Sequence, residues 1–260
     1  MTNVQVLIAI VLLQQGFFGL LWLGAAWLRL ARRPALHWSA TTLLLAGGMA
    51  LLIERDALGP WAGRALPYVV NVLAFAIARR GVQWFARLRV TDAEHAGVVA
   101  LTAAAVAASV AGVVDPAVAR VAGTAGMAWS LLRGGAELVR GLRCEFGALA
   151  AWTCSVPLWL IAALLALRGA SPLWSDHRAG LPLTVDSGVN VALMFAFIAL
   201  GMMLNAGLCA MVVLRLVRRL QHLSRHDALT GVLNRRGLEL ALQVEHERLR
   251  RYGRPYALVA

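Results

Sequence analysis

The chain has 260 residues, of which 60% are hydrophobic and 15% are charged, whereas a soluble domain carries roughly 25% charged residues. A mean hydropathy of +0.70 leaves too few polar side chains to cover a soluble globule, so the composition predicts an integral membrane protein. All 25 basic residues are arginine and the net charge is +12, but most arginines before residue 215 lie in short clusters between apolar runs, which favours membrane loops over a nucleic-acid partner.

Seven apolar runs are candidate transmembrane helices, because a helix needs about 20 mostly apolar residues to cross a bilayer. The runs are Val4–Leu28, Leu36–Ile53, Trp61–Ala78, His95–Val114, Ala117–Leu132, Phe146–Leu167 and Val189–Leu214. The first has no positive n-region and is too long for a cleavable signal peptide. The fifth is the weakest, since it is short, contains Arg120 and runs into Glu137. Residues 1–214 are therefore predicted to form an all-α membrane bundle.

The distribution of arginine between the loops predicts the orientation of this bundle. The loops after the first, third and fifth runs hold ten arginines: Arg29, Arg32, Arg33, Arg79, Arg80, Arg87, Arg89, Arg133, Arg140 and Arg143. The other three loops hold five, which are offset by five acidic residues. Because cytoplasmic loops carry the positive excess, we expect the N-terminus outside and the C-terminus inside.

Polar residues inside the runs are few, and each has a structural interpretation. Three ionisable residues lie near predicted helix ends and could reach lipid headgroups, namely His95, Arg120 and Glu137. Three amides are interpreted as hydrogen bonds between helices, namely Asn71, Asn190 and Asn205. The sequence lacks the chain of buried carboxylates that a proton pump or ion-coupled transporter would need.

The longest predicted external loop runs from Arg168 to Gly188. It holds four residues that could contact a ligand, Trp174, Asp176, His177 and Arg178. Asp and His two positions apart can also bind a metal, but a single such pair is a weak signal. We interpret the segment as a solvated loop with an interfacial tryptophan, and the signal recognised outside or within the membrane stays unknown.

The composition changes where the last run ends. Residues 1–220 carry 27 charges, whereas residues 221–260 carry 11 in 40, so a soluble segment follows the membrane part. Apolar residues recur there at the spacing of a coiled-coil seam, at Val213, Leu216, Leu220 and Leu223. Residues 215–226 are therefore either a helical stalk that pairs with a second subunit or an amphipathic turn lying along the membrane.

The last segment, residues 227–260, predicts the beginning of an α/β domain. Asp227 can cap a short turn that ends at Gly231, and Asn234 can cap a helix that follows it. Gly253 ends this helix, and Tyr256–Ala260 is an apolar run typical of a buried strand.

These residues resemble the opening of a GGDEF domain, the diguanylate cyclase module of bacterial signalling. Domains of that family begin, after a helical stalk, with an Asp, a Leu-Thr-Gly triplet, a further Leu and an Asn-Arg-Arg triplet. The matching residues, here called the opening motif, are Asp227, Leu229, Thr230, Gly231, Leu233, Asn234, Arg235 and Arg236, with Val232 at a variable position. The resemblance covers about 36 of the 260 residues and is ungapped.

The resemblance implies a homodimer in the bacterial inner membrane whose two cytoplasmic domains each bind GTP. Each ribose 3′-hydroxyl attacks the other α-phosphate with the help of Mg²⁺ ions, which yields cyclic di-GMP and two pyrophosphates. The family's metal-binding Asp, its guanine-binding residues and the GG(D/E)EF turn all lie beyond the strand that begins at Tyr256. No catalytic, cofactor-binding or metal-binding residue is therefore assigned, and residues 1–260 alone are expected to be inactive.

The resemblance gives the opening motif a structural role, in which Asp227, Asn234 and Arg235 tie the turn to the domain. Helix capping alone explains the same residues. Two other functions remain open: a receptor whose GGDEF domain is degenerate, regulates by binding nucleotide or leads to an EAL phosphodiesterase, and a non-enzymatic seven-helix transport or structural protein.

Overall fold

The computed structural model describes residues 2–55, 57–170, 185–223, 227 and 229–257. The described residues form eight α-helices: α1 (Asn3–Trp27), α2 (Arg32–Ile53), α3 (Leu66–Phe85), α4 (Asp92–Val110), α5 (Pro116–Phe146), α6 (Ala148–Ala170), α7 (Gly188–Leu223) and α8 (Arg235–Tyr252). A π-helical turn, Pro60–Ala65, leads into α3. The loop residues Trp174, Asp176, His177 and Arg178 lie outside the described residues.

Local sequence explains several helix boundaries. Thr2 caps α1 in a reciprocal arrangement with Gln5, and Asp115 caps α5, which begins at Pro116. Gly147, at φ 91°, separates α5 from α6 because few residues other than glycine adopt that backbone conformation.

The chain divides into two compact units, Met1–Cys209 and Ala210–Ala260. In the first unit, α3 packs against α2, α4 and α5, while α1 packs against α2 and α6 packs against α5. A buried cluster of Val4, Leu7, Ile8 and Met194 joins the start of α1 to α7. The first unit is therefore a bundle whose members are held together mainly by apolar side chains.

Among the described residues, six helices are long and apolar enough to cross a membrane, which is compatible with a multi-pass membrane protein. They correspond to the first, second, third, fourth, sixth and seventh predicted runs, and four of them, the second, third, sixth and seventh, are longer than the sequence suggested. The predicted fifth run lies within α5, which has 31 residues but does not meet the same criterion. Its six charged residues and its glycines, serine and threonine lower its hydropathy.

Helix α5 continues through Arg133, Arg140 and Arg143, so the predicted loop at these three residues is wrong. The reason is helix packing. A Cβ atom on Gly135 would collide with the Trp159 indole, and one on Gly141 would lie 2.5 Å from Ala86 Cβ. These glycines, which weaken a helix by themselves, allow close approach of α3 and α6 and thereby stabilise the longer helix.

In the second unit, the end of α7 is followed by a turn and α8. Helix α7 continues past Leu214 into the predicted stalk as far as Leu223. The rest of the predicted stalk, residues 224–226, lies outside the described residues. Helix α8 begins after Asn234 and ends at Gly253, which has a left-handed conformation with φ 65°. The expected strand at residues 256–260 is not formed at Tyr256 and Ala257, and its remaining residues lie outside the described chain.

Candidate functional site

A buried charged residue, Arg79, lies at the centre of the contact between α3, α4 and α5. Its relative exposure is 2%, and it lies in the second-last turn of α3. Its predicted place in a cytoplasmic loop is wrong, because α3 continues to Phe85. A buried guanidinium is costly unless its donors are satisfied, so its partners determine what the site can do.

Two carboxylates from different helices bind this guanidinium. On α5, Glu137 accepts hydrogen bonds from Arg79 Nε at 3.2 and 3.1 Å and from Nη2 at 2.7 Å. On α4, Glu94 accepts from Nη1 at 2.8 Å and from Nη2 at 2.9 Å. Arginine therefore makes forked contacts to both carboxylates, the geometry in which charge-assisted hydrogen bonds are strongest.

Three further polar residues complete the group, which we call the Arg79 cluster: Arg79, Gln83, Thr91, Glu94, His95 and Glu137. Gln83 Nε2 donates to Glu137 Oε1 and to Thr91 Oγ1, both at 3.0 Å. The Gln83 carbonyl oxygen lies 3.1 Å from His95 Nε2. Gln83 and Arg79 are four positions apart on α3, so both face the same neighbours.

The edge of the cluster is more exposed and carries a second cation. Trp129 Nε1 donates to Glu94 Oε1 at 2.9 Å, and Arg133 Nε lies 3.5 Å from the same oxygen. Two arginines thus face two carboxylates, and every nitrogen of the Arg79 guanidinium donates to an oxygen. The arrangement holds three helices together and pairs the Arg79 charge with two carboxylates, while one of the two Nη1 N–H groups makes no hydrogen bond to a described residue.

The sequence interpretation of Glu137 and His95 as headgroup-seeking residues is therefore wrong. Both are buried, because partners inside the bundle offset the cost of removing them from water. The four-residue spacing of Arg79 and Gln83, together with Glu137 shortly after Gly134 and Gly135 in α5, is the signal that could have revealed the pairing. Arg120, the third residue of that interpretation, is half-buried.

The three asparagines that were predicted to form hydrogen bonds between helices have different contacts. Asn205 on α7 accepts a hydrogen bond from Trp22 Nε1 on α1 at 2.8 Å, and Asn190 on α7 accepts from Arg168 on α6 at 3.2 Å. The prediction of bonds between helices is confirmed for these two. Asn71 has no hydrogen-bond partner among the described residues, although its amide oxygen packs against Gly48 of α2.

The opening motif forms a compact turn around Asp227. Its Oδ1 accepts from the backbone N–H groups of Leu229 at 3.1 Å and Thr230 at 2.9 Å, and from the Thr230 hydroxyl at 2.9 Å. These hydrogen bonds, the Thr230 amide first, lower the pKa of Asp227. Gly231 has φ 70°, and its N–H donates to the Asp227 carbonyl at 3.0 Å. The capping role predicted for Asp227 is confirmed.

The second half of the motif begins α8. Asn234 Oδ1 accepts from Gly237 N at 2.9 Å, which confirms Asn234 as the cap. Arg235 Nε lies 3.1 Å from Glu239 Oε1 in an exposed pair, and Arg236 is exposed. Leu229 and Leu233 of the motif are also exposed. The described contacts are thus local and cap the turn and the helix.

Within the described residues, no group of three or more His, Cys, Asp or Glu side chains could hold a metal ion. Comparisons of the chain with protein-family models, with curated proteins and with solved structures found no match.

Proposed function

We propose that this chain is the sensor part of a bacterial inner-membrane diguanylate cyclase, with seven spans, the N-terminus outside and the C-terminus in the cytoplasm. The observation that carries the proposal is the opening motif. Asp227 gathers three donors, Gly231 takes a left-handed conformation and Asn234 caps α8. These are the positions at which the sequence resembles a GGDEF domain.

The length of α7 supports a connection from membrane to cytoplasm. The helix has 36 residues, and since about 20 suffice to cross a bilayer, about 16 remain to extend beyond it. That remainder contains the apolar seam of the stalk, and Val213 and Leu220 on this seam are exposed. A second copy of the chain would cover them in a parallel coiled coil, as a homodimeric cyclase requires.

Exposed apolar residues of the opening motif support a larger domain around it. Leu229 is 97% exposed and Val232 is 62% exposed, and Leu233 is exposed as well. Such a group commonly marks a surface that another part of a protein covers. In the proposed full protein, the body of the GGDEF domain covers it and supplies the residues that bind GTP and Mg²⁺.

The proposed orientation counts α5 as a span. In that topology, the connections after α1, α3 and α5 lie on the same side of the membrane. Arg29, Arg87 and Arg89 lie in the first two, and Arg143 lies in the last turn of α5. Positive residues at this side are typical of the cytoplasmic face.

In the proposed mechanism, a signal at the bundle changes how its helices pack and thereby turns the α7 stalks of the dimer. The Arg79 cluster joins α3, α4 and α5 and so makes these helices move as one body. Reorientation of the stalks brings two GTP-loaded domains face to face, where the two in-line attacks form cyclic di-GMP and release two pyrophosphates.

One observation favours the second candidate, a membrane transport protein. The sequence argument against transport was a lack of buried charges, yet Arg79 and Glu137 are buried within the bundle. Intramembrane charges are often part of ion or substrate pathways. Because Arg79 is paired with two carboxylates, the cluster favours a structural role, and we keep the sensor as the first candidate. Loss of transport with unchanged cyclic di-GMP in a deletion strain would favour the second candidate.

The reading frame beyond the codon for Ala260 tests the proposal directly. We expect an Asp codon within a few positions and a GG(D/E)EF turn downstream. A degraded turn followed by an EAL-type domain would favour a phosphodiesterase or a nucleotide-binding regulator. A stop codon at that point would favour a function that lies in the membrane helices alone.

A further inference from the structure

A cavity of about 240 Å³ lies inside the Met1–Cys209 unit, between α1, α2, α3, α5, α6 and α7. Its walls are mostly apolar and include Met49, Phe75, Leu131 and Leu204. A mainly apolar cavity favours apolar molecules over water. The few polar groups in its walls therefore determine which molecule it binds.

Most of these polar groups already have partners within the bundle. The hydroxyls of Thr41, Thr42 and Ser130 donate to backbone carbonyls of their own helices. The Asn205 amide binds Trp22 and the Gly201 carbonyl. Arg79 also lines the cavity, but its charge is paired with the carboxylates of Glu94 and Glu137, so the described lining residues offer no unpaired cation to an anion.

Three side chains in the wall are different. Gln15 on α1 and Asn71 on α3 both line the cavity and are half-buried, and neither amide has a hydrogen-bond partner among the described residues. Trp38 on α2 lines it as well, and its buried Nε1 is a further donor without a partner among those residues. Each amide offers two N–H donors and one carbonyl acceptor. An unpaired amide in an apolar environment is costly, so these two groups favour an occupant that bonds to them.

We propose that this cavity is a binding site for an uncharged, mainly apolar molecule that carries a carbonyl or hydroxyl oxygen, held by Gln15 and Asn71. Primary amides are neutral and both donate and accept, so they suit such an oxygen better than a carboxylate or an ammonium. The apolar walls bind the rest of the molecule through burial of its surface. If the bound molecule is the signal, the cavity is the sensing site of the proposed sensor. Only this link to signalling rests on the proposed function.

The volume limits the size of the occupant. A cavity of roughly 150 Å³ holds benzene, so one of about 240 Å³ holds a molecule of roughly ten non-hydrogen atoms. A naphthalene-sized compound with one oxygen fits this description. The matched set 2-naphthol, naphthalene and 2-naphthoate separates the contributions of ring, oxygen and charge.

The test is equilibrium dialysis of these three compounds against the full chain in phosphatidylcholine nanodiscs, with empty nanodiscs as the blank. We expect saturable binding of 2-naphthol, roughly tenfold weaker binding of naphthalene, and no saturable binding of 2-naphthoate. The double variant Gln15→Leu/Asn71→Leu keeps similar side-chain volumes and should bind 2-naphthol roughly tenfold more weakly. The control Gln243→Leu, on the exposed face of α8, should bind like the parent chain.

A second readout separates ligand binding from a structural role. Without ligand, the double variant should melt at a higher temperature than the parent, because it removes two unpaired amides. A lower melting temperature, equal binding of 2-naphthol and naphthalene, or unchanged binding by the double variant would overturn the proposal. So would the absence of saturable 2-naphthol binding. None of these readouts involves cyclic di-GMP, so the cyclase proposal can fail or succeed independently.

Discussion

Arg79 of α3 and Glu137 of α5, which are 58 positions apart in the chain, form a buried ion pair with 2.7 Å between Nη2 and Oε1. The same guanidinium reaches Glu94 of α4, so one side chain joins three helices of the bundle. Removal of one member of a buried pair leaves an uncompensated charge, which costs more than the pair itself contributes. The pair therefore makes the relative placement of these helices specific.

Replacement of Arg79 by Gln should destabilise the bundle strongly. Two carboxylates would lose their cation, at a cost of about 3–5 kcal/mol by the behaviour of buried pairs. We expect the melting temperature of the full chain in detergent to fall by on the order of 10 °C. Glu137→Gln should cost less, because Arg79 would keep its contact with Glu94.

The adjacent residue provides the control for this experiment. Arg80 binds Asp92 at 2.8 Å in a largely exposed pair, and exposed pairs contribute about 0–1 kcal/mol. Arg80→Gln should leave the melting temperature nearly unchanged. Equal effects of the Arg79 and Arg80 substitutions would show that the buried pair does not stabilise the bundle.

Gly141→Ala should also destabilise the bundle, although alanine is the better helix former. A Cβ at this position would lie 2.5 Å from Ala86 Cβ and 3.0 Å from the Ala86 carbonyl oxygen, so α3 and α5 would have to separate. We expect a cost of about 1–3 kcal/mol, seen as a lower melting temperature. In Gly47→Ala, where nothing lies within 4 Å, the stability should be the same or higher. A larger loss of stability in Gly47→Ala than in Gly141→Ala would contradict the close approach of α3 and α5.

The turn of the opening motif should lose its order at acidic pH. Hydrogen bonds from Thr230 and Leu229 lower the pKa of Asp227, so the folded value lies below the ordinary one. The stabilisation is therefore complete above the ordinary pKa and is lost as the pH falls through the lowered value. Hydrogen-exchange mass spectrometry of the full chain, corrected for intrinsic rates, should show this loss in the peptide that covers residues 227–237.

Asp227→Ala should remove that protection at neutral pH as well, whereas Glu245→Gln, in an exposed pair with Arg248, should not. If protection of the peptide is the same in the parent and in Asp227→Ala, the three hydrogen bonds of Asp227 do not hold the turn.

The proposed stalk can be tested by cysteine cross-linking in membranes. In a background without Cys144, Cys154 and Cys209, Val213→Cys and Leu220→Cys lie on the predicted seam and should form disulfide-linked dimers. Val217→Cys, one position past Leu216 of the seam, should cross-link several-fold less. Equal cross-linking at all three positions, or none at the seam, would contradict a paired stalk.

Local chemistry explains which features could be predicted from the sequence. Asn234 and Gly253 act through their own backbone neighbourhood, so the bounds of α8 followed from residue types alone. Long apolar runs likewise predicted α1 and α7, although α7 continues farther than its run. The strand expected at Tyr256 depends on sheet partners, which a local pattern does not supply.

The Arg79 cluster was missed because its members are far apart in the sequence. In the sequence, an apolar run ends at its first charged residue, although the helix can continue. Arg79 was therefore predicted to lie in a loop, and Glu137 near a helix end. Only the packing of α3 against α5, which Gly141 allows, brings the two charges together. A shared role for Gln15 and Asn71 likewise follows only from the cavity, which residues of six helices line.

The central claim is tested most directly by the activity of the complete product of the natural gene, purified in membrane and supplied with GTP and Mg²⁺. Mass spectrometry of the reaction should detect cyclic di-GMP and pyrophosphate in a ratio of one to two, whereas residues 1–260 alone should produce neither. Absence of cyclic di-GMP from the complete, folded and GTP-supplied protein would contradict the cyclase function, and its synthesis by residues 1–260 would contradict the placement of the active site beyond Ala260.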